Sequence, residues 1–253
     1  MYSMKDKVVI ITGGGSGIGF GIATAFAKEG ASLVLTGRTE GKLIAAQKDL
    51  NEKYGVEVLP VIADGASEED INNVIKKTVE KFKKIDVVIN NAQCSASGVL
   101  LEDHTKEDFD KAIYSGLYGT FFMMKSAFPY LKETKGRIIN FGSGAGLFGK
   151  PGQSSYAAAK EGIRGLSRVA ATEWSKYGIT INVICPLCMT PALKQWQQDY
   201  PELYNKTIQG IPMGRFADAE HDIGGLCLYL ASDSADYITG ECFTVQGGSG
   251  LRP

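Results

Sequence analysis

Seven short apolar runs recur along the chain: Val8–Thr12, Ser32–Thr36, Val56–Ile62, Val87–Asn90, Arg137–Phe141, Thr180–Ile184 and Cys242–Val245. Most are continuous rather than alternating, as strands read when both faces are covered. Helical patterns lie between them. Residues 18–29 keep Ile22, Ala25 and Phe26 on one face, and residues 40–53 follow a similar, more charged pattern. The stretch 67–82 opens on Ser67 with Asp70 three residues later, an approximate capping box. Repeating β-α-β units of this length imply parallel strands joined by right-handed crossovers, hence a doubly wound α/β sheet with helices on both faces. No internal repeat, low-complexity tract or Pro/Gly-rich linker divides the chain, so residues 1–253 are read as one domain.

Two segments break the rhythm. The helix expected over residues 108–131 is apolar on more than one side, through Phe109, Ile113, Leu117, Phe121, Phe122, Met123, Met124 and Phe128. Such a helix packs in a core or against another subunit. Residues 187–212 mix Leu193, Trp196, Tyr200, Leu203 and Tyr204 with polar residues and three prolines. They read as a lid of short helices beside the strand ends, where open α/β sheets bind ligands.

Composition narrows the partners. The formal net charge of −1 gives no field for nucleic acid or acidic membranes, and no apolar run spans a bilayer. The first residues lead straight into a strand without a signal-peptide core, and a cytoplasmic protein is the consistent reading. His104 and His221 lie far apart, and no metal site is expected. Cys185-Pro186-Leu187-Cys188 fits a CxxC pattern, which could be a redox or zinc pair. It follows a late strand and leads into a loop rather than a helix. That context favours a small apolar strand-end residue and a loop cysteine.

The first run ends in Thr12-Gly13-Gly14-Gly15-Ser16-Gly17-Ile18-Gly19, which opens a helix. Gly13 permits a sharp turn, Gly17 lets backbone amides approach a pyrophosphate, and Gly19 lets helix and strand pack closely. The anion then meets the positive end of the helix dipole. The end of the second strand should discriminate the nucleotide, with an acid for the ribose of NAD or a base for the phosphate of NADP. Here it reads Thr36-Gly37-Arg38-Thr39, so NADP(H) is favoured over NAD(H). Stacking of Arg38 on the adenine, or pairing with Glu40, stays open.

Tyr156 and Lys160 stand four apart at the start of a long helical pattern, one turn apart on one face. A free tyrosine titrates at roughly 10, too high for proton transfer near neutrality, and a neighbouring ammonium should lower that value. Ser143 lies just past a strand end, where its hydroxyl can orient a substrate oxygen. The three form a candidate catalytic set.

Together, Thr12-Gly13…Gly17-Ile18-Gly19, Asn90-Asn91-Ala92, Ser143 and Tyr156…Lys160 resemble the short-chain dehydrogenase/reductase family over essentially the whole chain. The resemblance implies a Rossmann-type sheet of seven strands and a homotetramer with the long central helices at an interface. It implies that Ser16 and Ile18 join the glycines at the cofactor, that Asp64 and Gly65 lie at the adenine, and that Asn91 lies near the adenosine ribose. Thr190 falls near the carboxamide, and Lys160 also binds the nicotinamide ribose. Hydride would pass between nicotinamide and a carbonyl carbon, with Tyr156 moving the oxygen's proton and Ser143 holding that oxygen. Three positions depart from the family's pattern: Gly116 replaces a central-helix asparagine, Gln93 replaces a glycine, and Leu187 replaces another. Water or Ser115 is left to fill the space at Gly116, and Gln93 and Leu187 are expected on the substrate side.

Within the family, Gln93 with Ser95–Gly98, Ile113–Tyr118, Cys185-Pro186-Leu187, Pro212–Phe216 and the final Leu251-Arg252-Pro253 resemble bacterial 12α-hydroxysteroid dehydrogenases. That resemblance implies reversible oxidation of the 12α-hydroxyl of bile-acid steroids with NADP. Leu187, Met189, Leu193 and Trp196 would form an apolar wall suited to a flat steroid and equally to other apolar ketones or alcohols. A ketoreductase acting on a 3-oxoacyl thioester or small ketone is the nearest alternative. A non-catalytic dinucleotide sensor is a further one, prompted by Gly116.

Overall fold

A computed structural model describes residues 2–250; Met1 and Leu251-Arg252-Pro253, which formed part of the resemblance, lie outside the described residues. Seven strands, all parallel, form one sheet in the order β3-β2-β1-β4-β5-β6-β7. They are β1 Val8–Thr12, β2 Ser32–Gly37, β3 Val58–Ile62, β4 Val87–Asn90, β5 Arg137–Phe141, β6 Thr180–Pro186 and β7 Cys242–Val245. The order reverses between β1 and β4, which places a crevice at the carboxyl ends of those strands.

Alternate residues of each central strand enter different cores, which is why the strands read as unbroken apolar runs. Val9 and Ile11 of β1, Leu33 and Leu35 of β2, and Ile139 of β5 pack on one face. Val8 and Ile10, Val34 and Ile138 pack on the other. The first face is covered by α1 Gly17–Lys28, α2 Glu40–Tyr54 and α10 Gly225–Ala231. The second is covered by α3 Glu68–Phe82, α5 Gly119–Thr134 and α7 Ser154–Trp174. Ser67 caps α3, its hydroxyl accepting from the Asp70 amide, as the capping pattern predicts.

Beyond shifts of a single residue, three segments differ from those expected. The third strand begins at Val58, because Gly55 ends α2 in a left-handed conformation and the chain needs two further residues to re-enter the sheet. β6 runs on to Pro186, paired through Cys185 and Pro186 with Thr244 and Val245. The helix read as one piece over 108–131 is α4 Lys106–Ala112, a π-helical turn over Ile113–Tyr118, and then α5. The turn holds Gly116, and Gly119 follows it, where a Cβ would stand 2.7 Å from the Gly65 carbonyl oxygen. The remaining α-helices are α6 Gly144–Phe148, α8 Pro191–Asp199 and α9 Pro201–Gln209, and a second π-helical turn spans Ala219–Gly224. No residue of α8 or α9 is buried. Among the described residues, no helix is long and apolar enough to cross a membrane.

Candidate active site

The turn from β1 into α1 is built as its glycines require. Gly13 and Gly17 have φ of +69° and +57°, in the left-handed region that side-chain-bearing residues avoid. A Cβ on Gly19 would lie 2.3 Å from the Gly13 carbonyl oxygen, so helix and turn are in backbone contact. Ser16 precedes α1 without capping it, which leaves its hydroxyl for a ligand. Ile18 is half-buried against the first core. Asn91 locks β4 to this turn, its amide nitrogen donating to the Thr12 carbonyl (3.0 Å) and its backbone N–H to the Thr12 hydroxyl (3.0 Å).

These residues open onto a cleft of about 350 Å3 that brings together Gly13, Ser16, Arg38, Asp64, Gly65 and Asn91. Asp64 accepts from the Ala66 amide at 3.0 Å, and its own amide donates to Asp70, which fixes the loop. Arg38 is exposed and makes no ion pair with Glu40; its Nη2 meets the Cys94 sulfur at 2.8 Å. Lys42 lines the same end, a second cation that the sequence reading missed. Its signal is its place one helical turn beyond Arg38, in the first turn of α2. The cleft matches a dinucleotide: a cradle in which a Cβ at Gly17 would find only Pro191 at 3.6 Å, a helix N-terminus, and paired cations at the far end.

A second cleft, of about 660 Å3, holds Ser143, Tyr156, Leu187 and Thr190. Pro191, next to Thr190, lies beside the glycine turn, 3.6 Å from where a Cβ on Gly17 would stand. Ser143 caps α6, and its Oγ accepts from the Ala145 amide at 3.1 Å, leaving its own proton to donate outward. Tyr156 is in the first turn of α7, half-buried. Lys160 is fully buried behind it, its Nζ 5.5 Å from the centre of the Tyr156 ring and donating to the Phe141 carbonyl at 2.8 Å. This is no solvated helix face.

Burial governs both titrations. It lowers the Lys160 pKa to about 8, with only a small opposing pull from Cys185. It raises the Tyr156 phenol, against which the Ser143 hydroxyl acts by bonding the phenolate. The phenol thus stands above its ordinary value, contrary to the expected lowering, and Lys160 is not among the groups that shift it.

The space opposite Gly116 is filled, and neither water nor Ser115 fills it. A Cβ at Gly116 would stand 2.6 Å from Cδ of Gln93. Gln93 thus turns away from its expected substrate-side position, packs on the π-helical turn with Nε2 3.4 Å from the Ala112 carbonyl, and lines the dinucleotide cleft. Its Oε1 is buried without a partner. Ser115 is committed elsewhere, its hydroxyl bonded to the Cys94 backbone and to the Lys111 carbonyl at 2.6 Å. Trp196, also expected at the substrate, instead packs edge-on against Tyr204 within the lid (6.0 Å between centroids) and does not line the second cleft.

Residues that sequence reasoning passed over also shape the site. His104 bonds the hydroxyls of Ser155 (2.8 Å) and Ser154 (3.3 Å), clamping the start of α7. Gln246, on the turn after β7, lines the second cleft and donates to the Cys185 carbonyl at 3.2 Å. Only tertiary contact could have revealed either. The CxxC cysteines part company: Cys185 faces Cys242 (3.5 Å between sulfurs), and burial pushes the Cys188 thiol up to about 12, the opposite of a reactive thiolate. No cluster of metal-binding side chains occurs among the described residues.

Comparison with known proteins places these features. A family model described as enoyl-(acyl carrier protein) reductase matches residues 13–250. A 12alpha-hydroxysteroid dehydrogenase of Clostridium sp. is 56% identical over 259 residues, covering 100% of both chains. A 3-oxoacyl-[acyl-carrier-protein] reductase of Chlamydia muridarum is 35% identical over 247 residues, covering 97% of this chain and 98% of its own. The crystal structure of levodione reductase superimposes with a TM-score of 0.92 at 34% identity, covering 98% of each chain. NAD+-bound xylitol dehydrogenase does so with a TM-score of 0.91 at 27% identity, covering 97% and 99%.

Proposed function

The chain belongs to the short-chain dehydrogenase/reductase family, and on that basis we propose that it is an NADP(H)-dependent enzyme interconverting the 12α-hydroxyl and 12-ketone of cholate-type steroids. One observation carries the choice of substrate: full-length likeness, at 56% identity, to a relative named for that reaction. The geometry supports the reaction class, since Tyr156 and Ser143 share the floor of a cleft whose wall includes Phe148, Leu187 and Leu193.

Gly13, Ser16, Gly17 and the α1 N-terminus would hold the pyrophosphate, Asp64 and Gly65 the adenine end, Asn91 the ribose, and Thr190 the carboxamide. Arg38 with Lys42 would take the additional phosphate, which is why NADP(H) is preferred. Bound there, the nicotinamide supplies or removes hydride at the carbinol carbon. The protein's task is the proton and the oxygen. Ser143 donates its hydroxyl to the reacting oxygen and fixes its position. Tyr156 takes the alcohol's proton in oxidation and returns it in reduction. Its phenol is held high by burial, so the Lys160 cation behind the ring stabilises the phenolate as it forms.

The test is the initial rate of NADPH formation with cholate and with its 12-deoxy counterpart. Cholate alone should react, Tyr156→Phe should abolish turnover, and Arg38→Ala should raise KM for NADP+ at least about tenfold more than for NAD+. Equal rates on both steroids would refute the 12-hydroxyl preference. Turnover of a 3-oxoacyl thioester in place of either would favour the ketoreductase reading.

A further inference from the structure

Among the described residues, the second cleft has one charged residue in its lining, Lys150. Its position is built by the turn between α6 and α7. Gly149 ends α6 with φ of +68°, and the Lys150 amide donates back to the Ala145 carbonyl at 3.1 Å. Pro151 and Gly152 then close the turn, with the Gly152 carbonyl accepting from the Gly98 amide at 2.8 Å. The backbone is therefore fixed while the side chain is exposed at the cleft rim. Lys150 pairs with no carboxylate among the described residues. Among the described residues, no acid lines the cleft.

The cleft thus has a hydroxyl-bearing floor at Ser143 and Tyr156, an apolar wall at Phe148 and Leu193, and one unpaired cation at its rim. We propose that Lys150 is an anion subsite that selects an apolar alcohol or ketone carrying a carboxylate on a side chain long enough to reach the cleft rim. The inference rests on the steroid reading above and narrows it to acidic steroids over neutral ones. With the apolar body lying across Phe148, the ammonium is partly shielded from solvent, and its attraction for the carboxylate exceeds that of a fully exposed pair. The pair forms equally in ground and transition states, so it acts on KM and leaves kcat unchanged.

The experiment compares wild type, Lys150→Ala and Lys150→Arg on cholate and on cholate methyl ester, with calorimetric binding of both ligands to the same proteins. Lys150→Ala should raise KM and Kd for cholate about fivefold and leave those for the ester within about twofold, while Lys150→Arg restores wild-type values. Equal shifts for both ligands, no shift, or no binding of cholate to wild type would overturn the subsite. Lys150-dependent binding of cholate without its oxidation would uphold the subsite and sink the 12-hydroxyl reading; oxidation indifferent to Lys150 would do the reverse. Acetoacetyl coenzyme A separates the sources of negative charge. A Lys150-dependent KM there and not for cholate would assign the cation to phosphate and overturn the carboxylate assignment.

Discussion

Lys160 shows what burying one charged side chain costs this protein. It is fully buried, with a carbonyl as its hydrogen-bond partner, and burial lowers its pKa from 10.5 to about 8. Below about pH 8 the lysine is charged in both folded and unfolded chains, and the full desolvation penalty falls on the fold. Between about pH 8 and 10.5 the unfolded chain binds more protons than the folded one, so stability rises with pH. Lys160→Met should therefore abolish activity yet stabilise the cofactor-free protein by about 1–3 kcal/mol at pH 7, with the gain shrinking as pH approaches 10. Urea unfolding at both pH values reads this directly, and a variant less stable than wild type at pH 7 would contradict it. The sequence shows the Tyr156–Lys160 spacing, but not that burial governs both groups, because depth of burial is a tertiary property.

At the scale of elements, the π-helical turn over Ile113–Tyr118 is where sequence reading stops. Its flanks α4 and α5 read as one helix because both carry the same apolar period. The substitution of glycine at position 116 was plain in the sequence, but its compensation lay 23 residues away in Gln93, on a loop with no periodicity to interpret. In the wild type, Gly116→Ala must displace the buried Gln93 amide and should bring no gain in stability. In a Gln93→Gly background the same change should stabilise by about 1 kcal/mol, the ordinary helical preference of alanine over glycine. A thermal-unfolding cycle on the four proteins measures the coupling, and additivity would show that the two side chains do not share the space. The β-strands were legible for the opposite reason. Strands buried on both faces carry their signal locally, and β1, β4 and β5 begin and end where their apolar runs do.

For the molecule as a whole, the topology followed from the alternation of strand and helix, and the two clefts from where the glycine turn and the Tyr156 helix meet the sheet's carboxyl edge. Assembly was legible only as an all-round apolar helix. The structure divides its residues: Met123, Met124 and Leu131 enter the core, while Tyr114, Tyr118 and Phe121 stay exposed, with Tyr114 stacked on Tyr118 at 5.0 Å. We infer that these aromatics meet another subunit in a homotetramer. Native mass spectrometry should find four chains in wild type and fewer in Tyr118→Asp/Phe121→Asp, and a monomeric wild type would contradict the inference. The central claim concerns which carbon is oxidised. Cholate offers hydroxyls at three ring positions, so its product incubated with NADP+ can be read by carbon-13 NMR. A single new ketone at C12 is predicted, and a ketone at C3 or C7 would contradict the assignment.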